Sequence, residues 1–273
     1  MVILRVIASF TMIDRIVYRN SELHYHREGD GRKSILLLHG FGQDHRAFDG
    51  WIEVLENDYT IFTFDLFFHG NSKWTNQQAL TKEDWRKILR LFFEREKIQS
   101  FEIAGFSIGA KFALATVELF PERISKVILL APDGIKNNFW YRFATSTSLM
   151  RIIFRSLILG RNSLKSLIKL SRPFQDKNLL RFVESQLSSD EKRKRVYNSW
   201  IYFRHLSFNL KNLSQLLNSR NIPVVLILGK LDKVIPPWKI EGFAKTLKNH
   251  QLQLLDANHH ELIVKASDTL KVS

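Results

Sequence analysis

The sequence contains no cysteine. That absence excludes disulfide frameworks, thiolate metal sites and cysteine nucleophiles together. It does not fix the compartment, because proteins of every compartment can lack cysteine. Long apolar runs are missing as well. The stretch from Met1 to Phe10 is apolar, but Asp14 and Arg15 close it well short of the ~20 residues a membrane-spanning helix needs. It also lacks a basic leading region, a long apolar run and a small-residue cleavage site, which together mark a secretory signal. We read it as a strand or a loose leader. Met12 leaves open that residues 1–11 stand outside the functional chain. A cytoplasmic location is the expectation. No internal repeat and no low-complexity segment is present.

Acidic residues are scarce in one region only. From Ile135 to Arg220, 17 Lys and Arg face 4 Asp and Glu, a net +13 out of the chain's +14. The remainder of the chain is close to neutral. The excess therefore belongs to one segment, and the protein is not a generally basic nucleic-acid binder. No recognised nucleic-acid motif accompanies the charge.

What the chain does have is apolar mass. Of its 273 residues 45% are hydrophobic, with 21 Phe and 6 Trp, enough for the core of one large α/β domain with a modest insertion. Intrinsic disorder is excluded on the same ground.

The first half alternates strand-like and helix-like stretches. Arg15–Tyr18 and Glu22–Arg27 read as antiparallel strands around a polar turn. Ser34–Leu38, Tyr59–Asp65, Phe101–Ala104 and Lys126–Ala131 read as strands. Asp49–Leu55, Trp85–Phe93 and Ile108–Leu119 read as helices between them. Such alternation implies parallel βαβ units. The pattern breaks after Gly134. Phe139–Ser156, Ser163–Leu170, Lys177–Leu187 and Arg193–Phe208 all read as helices. Strands resume at Ile222–Leu228 and Gln251–Leu255, and a last helix begins at Glu261–Lys265. The expected fold class is α/β: a mostly parallel sheet flanked by helices, with a core split into 1–134 and 218–273 and a helical insertion at 135–217.

Gly105-Phe106-Ser107-Ile108-Gly109 fits Gly-x-Ser-x-Gly and lies between an expected strand and an expected helix. Such a strand-to-helix turn is crowded, so glycine is required two residues to either side of the serine. The helix beneath the serine offers unpaired N–H groups to developing negative charge. His39-Gly40-Phe41-Gly42 ends another strand, and the N–H groups of Phe41 and Ile108 are the expected oxyanion donors. A serine hydroxyl needs a base. His259, just past the last strand, is favoured, with His260 one residue away as the rival. His24, His26, His45, His205 and His250 read as surface or packing residues. Asp232, in the turn after Ile222–Leu228, is the expected orienting carboxylate. Asp65 and His69-Gly70 form a second organised turn, read as structural.

Together these residues resemble the α/β-hydrolase superfamily, in its capped esterase- and lipase-like branch. The resemblance covers roughly 15–134 and 220–273. It rests on the ordered set His-Gly-Phe-Gly at 39–42, Asp-x-x-x-His-Gly-x-Ser at 65–72, Gly-x-Ser-x-Gly at 105–109, Gly-x-x-Asp at 229–232 and the histidine at 259. It implies that residues 135–217 cap the active site, that Ser107, Asp232 and His259 are the catalytic residues, and that no metal or organic cofactor takes part. Two positions depart from the family. Phe67-Phe68 replaces a common Pro-Gly pair. Asn258 replaces the glycine usual before the histidine, and asparagine tolerates left-handed backbone angles.

The expected activity is hydrolysis of a carboxylic ester or related acyl bond through an acyl-enzyme. Thioesterase, carbon–carbon bond hydrolase and lyase or synthase chemistries on the same triad stay open, as does a non-catalytic ligand-binding scaffold. The expected partner is a small acyl substrate, anionic or amphiphilic in view of the basic cap. Contact of that cap with an anionic membrane surface is a second expectation. No specific nucleic-acid partner is expected, and the oligomeric state stays open.

Overall fold

The protein is described here from a computed structural model covering the backbone of residues 12–135, 139–160 and 184–270, with side chains from 13–135, 141–160 and 184–270. The stretch before Met12, the expected helix Ser163–Leu170 and most of Lys177–Leu187 lie outside the described residues.

Eight strands form one sheet: β1 (Met12–Tyr18), β2 (Ser21–Glu28), β3 (Lys33–Leu38), β4 (Tyr59–Phe64), β5 (Phe101–Phe106), β6 (Ile124–Leu130), β7 (Val224–Gly229) and β8 (His250–Leu255). Their order is β1-β2-β4-β3-β5-β6-β7-β8. β2 runs antiparallel to both β1 and β4. Every later pairing is parallel. The described helices are α1 (Asp49–Leu55), α2 (Lys82–Glu96), α3 (Ile108–Leu119), α4 (Phe139–Ser146), α5 (Ser148–Leu159), α6 (Asp190–Tyr202), α7 (Leu210–Ser219), α8 (Trp238–Ala244) and α9 (Leu262–Leu270). None of them is long and apolar enough to cross a membrane.

A parallel strand covered on both faces must be apolar on both. β3 obeys this. Leu36 and Leu38 pack into the layer of Trp85, Phe92 and Phe112, whereas Ile35 and Leu37 pack into the layer of Phe48, Trp51 and Leu262. Burying each such side chain contributes about 1.5–3 kcal/mol. α2 shows why a helix forms where it does. Thr81 Oγ1 accepts from the Asp84 N–H at 3.0 Å and Asp84 Oδ2 accepts from the Thr81 N–H at 3.1 Å, a reciprocal cap. Trp85, Ile88, Leu89 and Phe92 then bury one face.

The helical segment between β6 and β7 differs in detail from expectation. Phe139–Ser156 is two helices rather than one, because Thr147 is extended (φ −118°, ψ 163°) and caps α5 through the Met150 N–H. The expected helix Arg193–Phe208 starts earlier, at Asp190 behind the Ser189 cap, and stops at Tyr202. Asn209 then caps α7, which was not expected. α8 was also missed; at 7 residues it is too short for a periodic signal.

The chain passes from β3 to β4 on one side and then to β5 on the other. At such a reversal the loops leaving neighbouring strands diverge and open a crevice. His39 leaves β3 and Ser107 leaves β5 at this place.

Candidate active site

Ser107 is held by geometry on every side. It is the only residue between β5 and α3, and its backbone is left-handed (φ 51°, ψ −115°). Strain of this kind is worth about 1–3 kcal/mol and must be overdetermined by its surroundings. The Ser107 N–H donates to Leu130 O at 2.9 Å, and its carbonyl accepts from Ala110 and Asp133 at 3.1 and 3.0 Å. The two flanking glycines are sterically required. A Cβ on Gly109 would lie 2.0 Å from Leu38 O, and one on Gly105 would lie 2.7 Å from the Ala110 backbone. The elbow can therefore sit tightly between β3 and α3.

His259 bridges the other two residues. Its Nε2 lies 3.1 Å from Ser107 Oγ and its Nδ1 lies 2.6 Å from Asp232 Oδ2. The second carboxylate oxygen, Asp232 Oδ1, accepts from the N–H groups of Val234 and Ile235, both at 2.8 Å. One carboxylate thus shapes its own loop and orients the imidazole. Phe106 packs against the imidazole at 4.8 Å between ring centroids. All three residues are buried, whereas His260 is exposed. The structure places His259, not His260, against Ser107.

The loop after β3 is pinned by a neutral histidine. His39 Nδ1–H donates to Gly40 O at 2.7 Å, and Nε2 accepts from the Leu66 N–H at 3.0 Å. Using both nitrogens in this way fixes the tautomer. Burial pushes its pKa down to about 4. Gln43 Oε1 accepts from the Gly40 N–H at 2.9 Å. Asp65 braces the same loop from below. Its Oδ1 accepts from both the backbone and the Nδ1 of His45 at 2.9 Å, and its Oδ2 accepts from the Asn71 N–H at 2.8 Å. These contacts hold the loop carrying Phe41 against the serine elbow, where a Cβ on Gly40 would lie 2.5 Å from the Phe106 ring. Ile108 opens α3, so its N–H has no carbonyl of its own helix to meet.

A sheet of this order, a strained serine between a strand and a helix, and a histidine joining it to a carboxylate form one pattern, and the profile described as alpha/beta hydrolase fold matches residues 33–151. The chain has the α/β-hydrolase fold. It is 22% identical over 228 residues to the uncharacterized hydrolase YugF of Bacillus subtilis, covering 77% of each chain. It is 22% identical over 247 residues to the human monoacylglycerol lipase ABHD6, covering 86% of this chain and 72% of that one. Among solved structures, a thermophilic esterase from Thermogutta terrifontis superposes with a TM-score of 0.69 at 16% identity, covering 96% of both chains.

The two departures from the α/β-hydrolase pattern have different physical outcomes. Asn258 is not among the left-handed residues, contrary to the role expected from its sequence position. Its Oδ1 instead accepts from the N–H groups of His260 and Glu261 at 3.0 and 3.2 Å, and Glu261 Oε2 accepts from the Asn258 N–H at 3.1 Å. Asparagine here caps the turn that presents His259. Phe68, at the lost glycine, does adopt a left-handed backbone (φ 68°). Its ring packs on Tyr202 and Phe203 at the end of α6, with centroids 5.3 and 5.6 Å away. A contact between core and insertion offsets the strain. Phe68→Gly is therefore expected to be about 1 kcal/mol more stable than Phe68→Ala in urea unfolding, because both lose the ring and only alanine keeps a Cβ on the left-handed backbone. Equal stabilities would remove the strain argument.

Sequence reasoning missed three further residues beside this α/β-hydrolase site. Lys111, one turn along α3 from Ser107, is buried with its Nζ 3.2 Å from Asp133 Oδ2 and 4.5 Å from the Tyr141 ring centroid. Burial alone would push the ammonium down, but the carboxylate outweighs it and holds the pKa above its ordinary value. The cluster ties α4 to the serine helix. No motif could reveal it, because its members come from three elements.

Gln186 touches the other side: a Cβ on Gly42 would lie 2.9 Å from Gln186 Oε1. His26, His45 and Asp65 bring potential ligand atoms within 4.8 Å of one another. The two imidazoles, however, stack at 3.5 Å with planes 16° apart. Ring-nitrogen lone pairs lie in the ring plane, so these do not converge on one ion at the ~2.0–2.1 Å of a zinc–histidine bond. His26 Nε2, buried and without a hydrogen-bond partner among the described residues, points to no metal by itself.

Proposed function

We propose that this α/β-hydrolase is a serine esterase or lipase that cleaves a carboxylic ester through an acyl-enzyme, with Ser107, His259 and Asp232 as its triad. The observation that carries the reading is the position of His259, within hydrogen-bond reach of Ser107 Oγ on one nitrogen and of Asp232 on the other. With Nδ1–H committed to Asp232, the neutral imidazole has its lone pair on Nε2, the atom facing the serine. His259 takes the Ser107 proton as Oγ attacks the carbonyl carbon. The carbonyl oxygen becomes an oxyanion held by the N–H groups of Phe41 and Ile108, each worth roughly 3–4 kcal/mol to the transition state. His259 gives its proton to the leaving alcohol. Water then attacks the acyl carbon, with His259 again taking a proton, and Ser107 leaves. No step calls for a metal or organic cofactor.

The helices between β6 and β7 act in this reading as a cap that selects the substrate. Gln186 at Gly42, Phe68 beneath Tyr202, and Tyr141 over Lys111 support that placement. The lipase and esterase names of relatives favour an ester over a carbon–carbon bond.

Treatment of the folded protein with a fluorophosphonate probe is expected to label Ser107, read by peptide mapping, and to abolish turnover of a panel of short and long acyl esters. Absence of labelling in folded protein would favour a non-catalytic ligand-binding role. Turnover of thioesters or diketones in place of esters would reassign the substrate class on the same triad.

A further inference from the structure

We propose that the outer face of α5 docks on an anionic lipid bilayer. The inner face of the helix is anchored by Phe154, its one buried residue. Phe154 stacks on Trp200 of α6 at 5.1 Å and lies 6.0 Å from Tyr197. The opposite face is apolar and open to solvent: Leu149 is 61% exposed, Ile152 65% and Ile153 40%. Their i, i+3, i+4 spacing puts them in one stripe. A stripe that a globular core would normally bury is here turned to water while Phe154 anchors the opposite face, which marks an interaction surface rather than an unfinished core.

Charge chooses the partner. No acidic residue occurs between Phe139 and Gly160, and Arg142 of α4 and Arg155 of α5 are exposed. Behind them Arg151, Arg204 and His205 lie close enough to repel one another; burial and then Arg151 lower the Arg204 pKa, and burial and then both arginines lower that of His205. The segment from Ile135 to Arg220 carries net +13 while the rest of the chain is nearly neutral. An apolar stripe in a segment with exposed arginines and no acids matches an interface of acyl chains below anionic headgroups. A second copy of this chain would instead bring like charge against like. No helix crosses the membrane in this arrangement; α5 lies on it. α4 joins this face to the serine helix through Tyr141 and Lys111, so a docked cap faces the lipid while remaining connected to the site.

The test is flotation of the full chain with vesicles of phosphatidylcholine alone or with one third phosphatidylglycerol, from low to high NaCl. Binding is expected on the anionic vesicles only, falling as salt rises. Arg142→Gln combined with Arg155→Gln should weaken it about 25-fold, since each cation near such a surface contributes about fivefold. Leu149→Ser with Ile152→Ser and Ile153→Ser should weaken it by at least about tenfold. Both variants should keep the wild-type melting profile and unchanged hydrolysis of a short soluble ester. The Ser107→Ala protein should bind as the wild type does, so this proposal stands or falls apart from the hydrolytic reading. Equal binding to neutral and anionic vesicles, binding unmoved by the variants, or a dimer in sedimentation equilibrium that the serine variant dissociates would each overturn it.

Discussion

Replacing Ser107 with alanine is expected to lower kcat for ester hydrolysis by about a millionfold, and replacing His259 with alanine by about as much. The double variant should be no worse than either alone. In the proposed mechanism Oγ attacks only while Nε2, 3.1 Å away, can take its proton, so removing one member leaves the other without a task. Residual hydrolysis above water would come from the Phe41 and Ile108 N–H groups and from binding. Steady-state rates on one ester, with each variant checked for a wild-type melt, decide the point. A Ser107→Ala enzyme retaining a tenth of its activity would sink the mechanism, and so would losses that multiply in the double variant.

Asp232→Asn separates orientation from folding. The amide can keep its oxygen toward the Val234 and Ile235 N–H groups, so the loop survives. Its NH2 then faces His259 Nδ1, which must become the acceptor. The imidazole proton moves to Nε2, the atom that has to accept from Ser107. The expected loss is about ten-thousandfold in kcat with little change in stability.

Much of the fold was legible because it is local. β3 is readable as Ser34–Leu38 since its apolar residues are consecutive, and the serine elbow since its glycines sit at fixed offsets around one residue. His259 was favoured over His260 from its place just past the last strand, but what separates the two rings was not legible. One residue of register separates them in sequence, and only the turn capped by Asn258 and Glu261 turns one ring inward and the other out. The role of Asn258 was misread for a related reason: its position suggested a backbone conformation, whereas its side chain does the work by capping. Phe68 was seen only as a departure from a family pattern. Its meaning lies in Tyr202 and Phe203, more than a hundred residues later in the chain. The same holds for Lys111, Asp133 and Tyr141. Contacts between core and insertion depend on how two faces meet, and no spacing within either face encodes that.

Acidification from pH 7 to 4.5 is expected to remove roughly 5 kcal/mol of stability through two buried histidines. Burial pushes His39 down to about 4 and His69 down to about 3, from an ordinary value of 6.5. Both are therefore mostly neutral in the folded protein across this window. The unfolded chain takes up a proton at each below about 6.5, and the folded chain does not. Unfolding thus gains protons, and stability falls as pH falls, by roughly 2.5 kcal/mol per histidine at pH 4.5. His26, lowered mainly by burial, acts in the same direction. Burial would raise Asp65 and Asp84, but their hydrogen bonds outweigh it and hold both below the usual carboxylate value of 3.8, so their loss comes at more acidic pH. Glu28 and Asp49, raised mainly by burial, oppose the histidines near the bottom of the window. His69→Gln can keep a donor toward Phe67 O, which His69 Nδ1 meets at 3.0 Å, without carrying a titrating ring. Its stability difference between pH 7 and 4.5 should be about half that of the wild type, read from urea unfolding at both pH values. A wild-type protein equally stable at the two, or a variant with the full wild-type slope, would show that these rings are not held neutral. His39 also pins the loop that carries Phe41, through Gly40 O and the Leu66 N–H, so that loop is held by the same neutral ring.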